Sequence, residues 1–203
     1  MAEGRIERLP DLAIDLVRAN VDVIVTGGTF PSLEAARRAT GAVPIVMIAV
    51  DYDPLATGVV SGLSRPGGNI TGVFVQQIEL TAKRMELLRE IAPKARRVAT
   101  VGPVFFRDRA KLVEIAKQRR IPTMFPLPEF ADAGGLIAYG ATLDATFASA
   151  APYIAKILRG VKPADLPIEQ PKSFELVINA KTARAMGLTL PQSILVRAQR
   201  VIG

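Results

Sequence analysis

Two hydrophobic periods alternate along the chain. Short apolar runs rich in Val and Ile predict buried strands at residues 21–26, 44–50, 70–75, 98–101, 122–125, 136–139 and 174–178. Between them, apolar residues recur every three or four positions and predict helices at 9–17, 31–40, 80–91, 108–119, 145–158, 181–186 and 191–201, with a weak helix ending at 63 and one turn at 129–133. Three prolines indicate an extended connector at 161–172. This alternation indicates an α/β fold with mostly parallel sheets covered on both faces.

Two of the predicted helices have faces that the spacing assigns to the core. The expected inward residues are Leu80, Met85, Leu88 and Ile91 on one helix, and Leu112, Ile115 and Ala116 on the other. Ligands of such folds bind beyond the carboxyl ends of the strands. The binding groups are therefore expected in the loops at residues 27–32, 50–57 and 139–142.

The first of these loops joins a strand to a helix with the sequence GGTFPS. Gly28, Thr29 and Ser32 would place two hydroxyls beside free backbone N–H groups at a helix start, which suits a carboxylate or a phosphate. The loop has neither the GxGxxG pattern nor that of a P-loop. A glycine turn in which Thr29 or Ser32 caps the helix is the simpler interpretation of the same residues.

Acidic and aromatic residues follow the other strand ends. Asp51 and Asp53 come directly after the second strand, where a carboxylate would bind an ammonium group or two would hold a divalent cation. Capping of the next helix by Asp53 is the alternative. Tyr139 ends a later strand and offers a ligand its ring face and hydroxyl. Glu129 and Phe130 precede it, and core packing is the preferred interpretation for Phe130.

Composition narrows the chemistry. The chain of 203 residues holds no cysteine and no histidine, which excludes disulfides, thiolate metal sites, cysteine nucleophiles and histidine bases. The net charge of +7 comes from basic residues interleaved with acids, which is typical of solvated helix faces rather than of a nucleic-acid site. No apolar run approaches the roughly 20 residues of a membrane span, and the start of the chain lacks the apolar core of a signal peptide. We expect neither a metal nor another cofactor.

Several short motifs, in order, resemble one family. They are AEGR and LP near the start, VDVIV and GT at 21–29, DP and TG at 53–58, RPGGNITG at 65–72, FADAGGL and YG at 130–140, and FELVIN and TA at 174–183. Together they are similar to the substrate-binding proteins of ABC transporters that include the tryptophan-binding type. The resemblance extends over nearly the whole chain.

The resemblance implies a type I periplasmic-binding architecture, in which two Rossmann-like, flavodoxin-like lobes close on a ligand. It implies binding of a small amino-acid-like ligand without catalysis, delivery to an ABC permease in the membrane, and a periplasmic or membrane-anchored extracytoplasmic location. On this basis Thr29, Ser32 and the amides near Gly28 would hold a carboxylate. Asp53 would pair with an ammonium, and Tyr139 would contact the ligand.

The chain departs from the family pattern in two places. The opening strands of the first lobe are missing before Met1, and about two βα units are missing near residues 101–102. We therefore expect a first lobe at 1–76, an incomplete second lobe at 77–140, and a crossover helix, connector and C-terminal elements at 141–203. Two alternatives stay open at this stage. They are a cytosolic ligand-sensing domain of the same fold and an α/β enzyme acting on a sugar or nucleotide.

Overall fold

The computed structural model describes residues 5–50, 52–96, 99–100 and 103–203. In chain order the strands are β1 Ile24–Gly28, β2 Ile45–Ala49, β3 Ile70–Phe74, β4 Ala99–Thr100, β5 Thr123–Phe125, β6 Ile137–Gly140, β7 Glu175–Asn179 and β8 Arg200–Ile202. The α-helices are α1 Leu9–Arg18, α2 Phe30–Ala39, α3 Gln77–Ile91, α4 Arg109–Gln118, α5 Glu129–Asp132, α6 Leu143–Ala148, α7 Ala151–Leu158, α8 Ala180–Ala185 and α9 Gln192–Leu195. Short 3₁₀ helices occupy Ile6–Arg8, Pro103–Asp108 and Pro163–Asp165.

The chain divides into two compact units. Unit 1 comprises Met1–Gln76 and Asp144–Pro171, and unit 2 comprises Gln77–Leu143 and Lys172–Gly203. The predicted α/β fold with parallel sheets is confirmed in both units.

Unit 1 contains a parallel sheet in the order β1-β2-β3. Every residue of β2 and β3 is buried, because helices and loops cover both faces of these apolar strands. One face packs around Leu33, Met47 and Ile70, and the other around Ile48 and Tyr153. The connector after α7 returns to this sheet, where the Thr71 hydroxyl donates to the Leu166 carbonyl over 2.7 Å.

Unit 2 contains a sheet in the order β4-β5-β6-β7-β8. All neighbouring pairs are parallel except β6 and β7, which run antiparallel with Ile137 opposite Ile178. Phe125 and Phe130 stack at 4.7 Å in its core, which confirms the packing interpretation of Phe130.

Three predicted helices differ from the structure. The segment after Asp53 forms only turns, since Gly58 adopts a left-handed φ of +66° that ends the first turn. The helix predicted at 145–158 is two helices, α6 and α7, because Pro152 at the start of α7 lacks the N–H that a continuous helix needs. The helix predicted at 191–201 ends at Leu195, and the chain then joins the sheet as β8.

Two predicted helix faces were only partly correct. Leu88 and Ile91 of α3 are buried as predicted, and Leu80, Leu112 and Ala116 are half-buried. On α3, Met85 is exposed while Arg84 and Leu87 are buried. On α4, Ile115 is exposed and Val113 is the buried residue. Of the residues predicted to face inward on these two helices, Met85 and Ile115 are the ones that are exposed.

Candidate functional site

The loop between β1 and α2 holds the residues predicted to bind an anion. Gly28 takes a left-handed φ of +88°, and Thr29 follows in an extended conformation before α2 begins at Phe30. The Thr29 and Ser32 hydroxyl oxygens lie 3.5 Å apart, and both residues are half-buried. The structure therefore brings these two hydroxyls together at the carboxyl end of β1, as the sequence predicts.

The Thr29 hydroxyl does not cap the helix. Although Thr29 is the N-cap residue of α2, its side chain makes no capping hydrogen bond. The backbone N–H of Ser32 instead donates to the Thr29 carbonyl over 3.2 Å. The two hydroxyls, whose oxygens are 3.5 Å apart, thus lie beside the positive end of the dipole of a ten-residue helix. This arrangement favours binding of a carboxylate or another small anion.

Two aromatic rings meet between the start of α2 and the loop after β2. Phe30, the first residue of α2, meets Tyr52 of the loop after β2 edge to face, with ring centroids 5.4 Å apart. We call Gly28–Ser32 together with Tyr52 and Asp53 the unit 1 edge. Sequence reasoning did not select Phe30 or Tyr52, although two aromatics in neighbouring strand-end loops are notable in a chain with only 5% aromatic residues.

Asp53 stabilises the turn that follows it. Its Oδ1 accepts the backbone N–H of Leu55 at 2.8 Å and that of Ala56 at 3.2 Å. The capping role expected as the alternative is therefore present, although it caps a turn rather than a helix. Asp51, the other acidic candidate, lies outside the described residues.

Unit 2 places Tyr139 at the carboxyl end of β6, where Arg84 anchors its backbone. The Arg84 Nε donates to the Tyr139 carbonyl over 2.8 Å, and its other nitrogens lie 3.4 Å from the Pro126 carbonyl and 3.5 Å from that of Gln77. Burial lowers the pKa of the Arg84 guanidinium to about 10, so it stays protonated at neutral pH. The Tyr139 ring lies 6.1 Å from that of Phe174. Sequence patterns gave no sign of Arg84, because its role depends on contacts 42 and 55 residues away along the chain.

Glu129 lies close to these strand ends. Its Oε1 accepts the backbone N–H of Leu143, the first residue of α6, over 2.8 Å. Its Oε2 is buried and has no hydrogen-bond partner among the described residues, and the same holds for Oε1 of Gln77 at the start of α3. We call the strand-end residues Pro126, Glu129 and Tyr139–Leu143, with Gln77 and Arg84, the unit 2 edge.

The predicted site residues thus fall in both units. Gly28, Thr29, Ser32 and Asp53 lie on the unit 1 edge, and Tyr139 lies on the unit 2 edge. Across the described part of the chain, no three acidic side chains are grouped so as to hold a metal ion. In that same part, none of the helices has the length and apolar character of a membrane span.

Unit 2 also carries a cavity of about 680 Å³ along α3 and the turn after it. It is lined by Ala82, Met85, Glu86, Leu88, Arg89, Glu90, Ala92, Pro93 and Ala95. These residues include none of the strand-end groups described above.

Comparisons with known proteins bear on this geometry. The sequence profile of one family, described as ABC transporter substrate binding protein, matches residues 1–106 and 104–202. The two matches meet near the position of the expected internal gap. A tyrosine-binding protein from Clostridioides difficile (strain R20291) is 33% identical over 100 residues, which are 49% of this chain and 28% of that protein. The chain thus matches little more than a quarter of that relative's length.

Solved structures share the fold. A Streptococcus pneumonia ABC domain in complex with L-Trp superposes with a TM-score of 0.88 at 20% identity, over 99% of this chain and 85% of that one. A conserved domain protein from Vibrio cholerae superposes with a TM-score of 0.81 at 25% identity, over 98% of this chain and 85% of that one. The predicted periplasmic-binding-protein type of fold is confirmed by these likenesses.

Proposed function

We propose that this chain, which belongs to the ABC transporter substrate binding protein family, binds a small amino-acid-like ligand for import. We propose that it performs no catalysis. The observation that carries the proposal is the Thr29–Ser32 hydroxyl pair at the start of α2. Two hydroxyls and the adjacent backbone amides of Gly28–Ser32 offer a carboxylate the donors it prefers.

An aromatic amino acid is the ligand class that we propose. One relative is named for tyrosine, and one structural neighbour was solved with L-Trp. On the unit 1 edge, the Phe30 and Tyr52 rings meet edge to face, and Phe30 directly follows Thr29 in the chain. The aromatic ring of a ligand would pack favourably against such a pair. Tyr139 offers a ring and a hydroxyl on the unit 2 edge.

Asp53 is the proposed ammonium partner on the unit 1 edge. Its Oδ1 already accepts two backbone N–H groups, which hold the carboxylate in place. A carboxylate oriented in this way pairs with a cation at little further entropic cost.

We also propose a partner and a location for the protein. As a member of this family the chain would deliver its ligand to an ABC permease in the membrane and would act outside the cytoplasm. The absence of histidine and cysteine agrees with binding rather than chemical conversion, since both are common catalytic groups.

Titration calorimetry with L-tyrosine and L-tryptophan tests the proposal. We expect binding by the unmodified chain, and Ser32→Ala combined with Thr29→Val should weaken binding at least tenfold, because the carboxylate loses two hydroxyl donors. Asp53→Asn should weaken binding of the amino acids by a similar factor.

The matched control is Ser61→Ala. The Ser61 hydroxyl donates to the Pro66 carbonyl inside a turn of unit 1, so its loss should leave affinity within twofold. Equal losses in the control and in the Thr29/Ser32 variant would contradict the proposed carboxylate site.

A further inference from the structure

The positive charge of the chain is concentrated in unit 2. This unit contains 17 of the 26 Lys and Arg residues but only 8 of the 19 Asp and Glu residues. Unit 1 contains the other 9 basic and 11 acidic residues, so its net charge is slightly negative. An excess of one sign on one part of a protein attracts partners of the opposite sign to that part.

The densest group of cations in unit 2 lies on α4 and beside it. Six basic residues and two acidic residues occupy positions 107–120. Lys111, Ile115 and Arg119 follow one another at intervals of four residues, so they share one face of the helix, and all three are exposed. Arg107, Lys111 and Arg119 make no ion pair within the described part of the chain. These three cations are therefore available to an anion from outside.

The acidic residues of this segment do little to cancel its charge. Oε2 of Glu114 lies 3.5 Å from Nζ of Lys117, and its Oε1 accepts an N–H of the Gln118 side chain over 3.1 Å. Glu114 thus already has a cationic partner. Asp108 is the other acid, so cations outnumber acids by four between residues 107 and 120.

Exposed apolar side chains accompany these cations. Phe106 packs inward on Phe130, with ring centroids 6.0 Å apart, and so fixes the 3₁₀ helix that precedes α4. Its neighbour Phe105 is 48% exposed, and Ile115 is 41% exposed. Cations together with exposed apolar side chains are typical of surfaces that lie on a bilayer, where the cations meet headgroups and the apolar groups enter the acyl boundary. A nucleic acid would gain little from the isoleucine.

We propose that this surface binds unit 2 to an anionic lipid bilayer. The surface, which we call the α4 patch, consists of Phe105, Arg107, Lys111, Ile115 and Arg119. Its cations complement the phosphates of anionic lipids, and its two apolar side chains enter the interface between the headgroups. The patch shares no residue with the unit 1 edge or the unit 2 edge. Lipid binding is therefore separate from the proposed binding of an amino acid, and it would keep the protein at the membrane surface.

Cosedimentation of the full chain with lipid vesicles tests the proposal. One set of vesicles contains phosphatidylcholine and phosphatidylglycerol at a ratio of two to one, and the other contains phosphatidylcholine alone. We expect at least tenfold tighter binding to the anionic vesicles, and this binding should weaken as salt is added, because salt screens the charges. Since a cation near an anionic membrane contributes about fivefold to binding, Arg107→Gln, Lys111→Gln and Arg119→Gln together should weaken it about a hundredfold.

Phe105→Ser separates a bilayer from other polyanions. The variant should bind the anionic vesicles at least fivefold more weakly than the unmodified chain, because an apolar side chain no longer enters the interface. Its binding to a DNA duplex, measured at the same salt concentration, should be unchanged. The unmodified chain should bind the anionic vesicles more tightly than the duplex.

The matched control removes three cations from unit 1. Lys156, Arg159 and Lys162 are exposed, and Leu158 between them is exposed as well, so the segment resembles the α4 patch in composition. Changing all three cations to Gln should leave vesicle binding within threefold. Melting followed by circular dichroism verifies that each variant is folded. Titration calorimetry with L-tyrosine and L-tryptophan should give the same affinities for the α4 patch variant and the unmodified chain.

Four results would overturn the proposal. The chain binds neither kind of vesicle, or it binds both kinds equally. The control loses as much binding as the triple variant of the α4 patch. The chain prefers the DNA duplex to the anionic vesicles, or Phe105→Ser has no effect on vesicle binding. Each of these results leaves the proposed amino-acid function intact, since calorimetry tests that function without lipid.

Discussion

At the scale of single residues, two buried polar side chains connect elements by donating hydrogen bonds to backbone carbonyls elsewhere in the chain. Arg84 and Tyr153 are both buried, and each uses its polar end on main-chain carbonyls. The Tyr153 hydroxyl donates to the Pro167 carbonyl over 2.9 Å and so ties α7 to the connector that follows it. Burial, with a smaller contribution from the charge of Glu169, raises the pKa of Tyr153 to about 12.

The raised pKa of Tyr153 predicts loss of stability at alkaline pH. The folded state favours the neutral phenol, so its contribution is fully present below the unfolded pKa of about 10 and disappears as pH rises toward 12. Tyr153→Phe should cost about 1 kcal/mol at neutral pH through the lost hydrogen bond. The difference between the two proteins should then shrink or reverse between pH 10 and 12.

Urea unfolding at pH 8, 10 and 11.5 measures this difference. An ultraviolet titration of the phenolates gives a second measurement, since the phenylalanine variant should lack the component that titrates near pH 12. A constant difference in unfolding free energy across this range would contradict the assignment.

A local rule predicts where the Thr29 and Ser32 hydroxyls lie, and the structure places them 3.5 Å apart, while their binding role stays a prediction. Thr29 and Ser32 were selected because they follow a strand and open a helix, and this placement is visible in the sequence. Glu129 was noticed only as a neighbour of Tyr139, since its contact with Leu143 spans 14 residues. Contacts of this kind depend on how the strands assemble, which no local pattern records.

At the scale of elements, close backbone approach decides how β5 and β6 end. Gly140 closes β6 at the point where the chain leaves β5, and a Cβ on this residue would lie 1.8 Å from the Pro126 carbonyl oxygen. Only glycine fits there, because the obstructing atom belongs to the backbone and has no flexible side chain to move.

Gly140→Ala should therefore destabilise unit 2 by about 3 kcal/mol or more. The clash would separate β5 from β6 and displace the carbonyls that Arg84 binds. Gly41→Ala is the control, since a Cβ there meets nothing within 4 Å. Urea unfolding of both variants gives the comparison, and equal stability of the two would contradict the packing described for Gly140.

The success of element prediction depended on burial. Strands such as β2 were predicted well, because burial on both faces requires continuous apolar runs. The helix predicted after Leu195 was wrong. The apolar residues there are spaced as in a helix, but the chain pairs with β7 as strand β8. Gln199 makes that pairing possible, because both its backbone and its side chain bind the backbone of Leu176.

At the scale of the whole molecule, the chain forms two compact α/β units, each with its own core and its own strand-end edge. The unit 1 edge offers donors suited to a carboxylate, through Thr29 and Ser32. On the unit 2 edge, Oε2 of Glu129 and Oε1 of Gln77 are buried without a hydrogen-bond partner within the described part of the chain.

The most direct test of amino-acid binding is a thermal melt of the unmodified chain with and without L-tyrosine and L-tryptophan. A ligand at a hundred times its dissociation constant adds about 2.7 kcal/mol to the stability of the native state. We predict a cooperative transition that moves upward by several degrees with at least one of the two. A cooperative transition that moves with neither would contradict the central claim that this chain binds an aromatic amino acid.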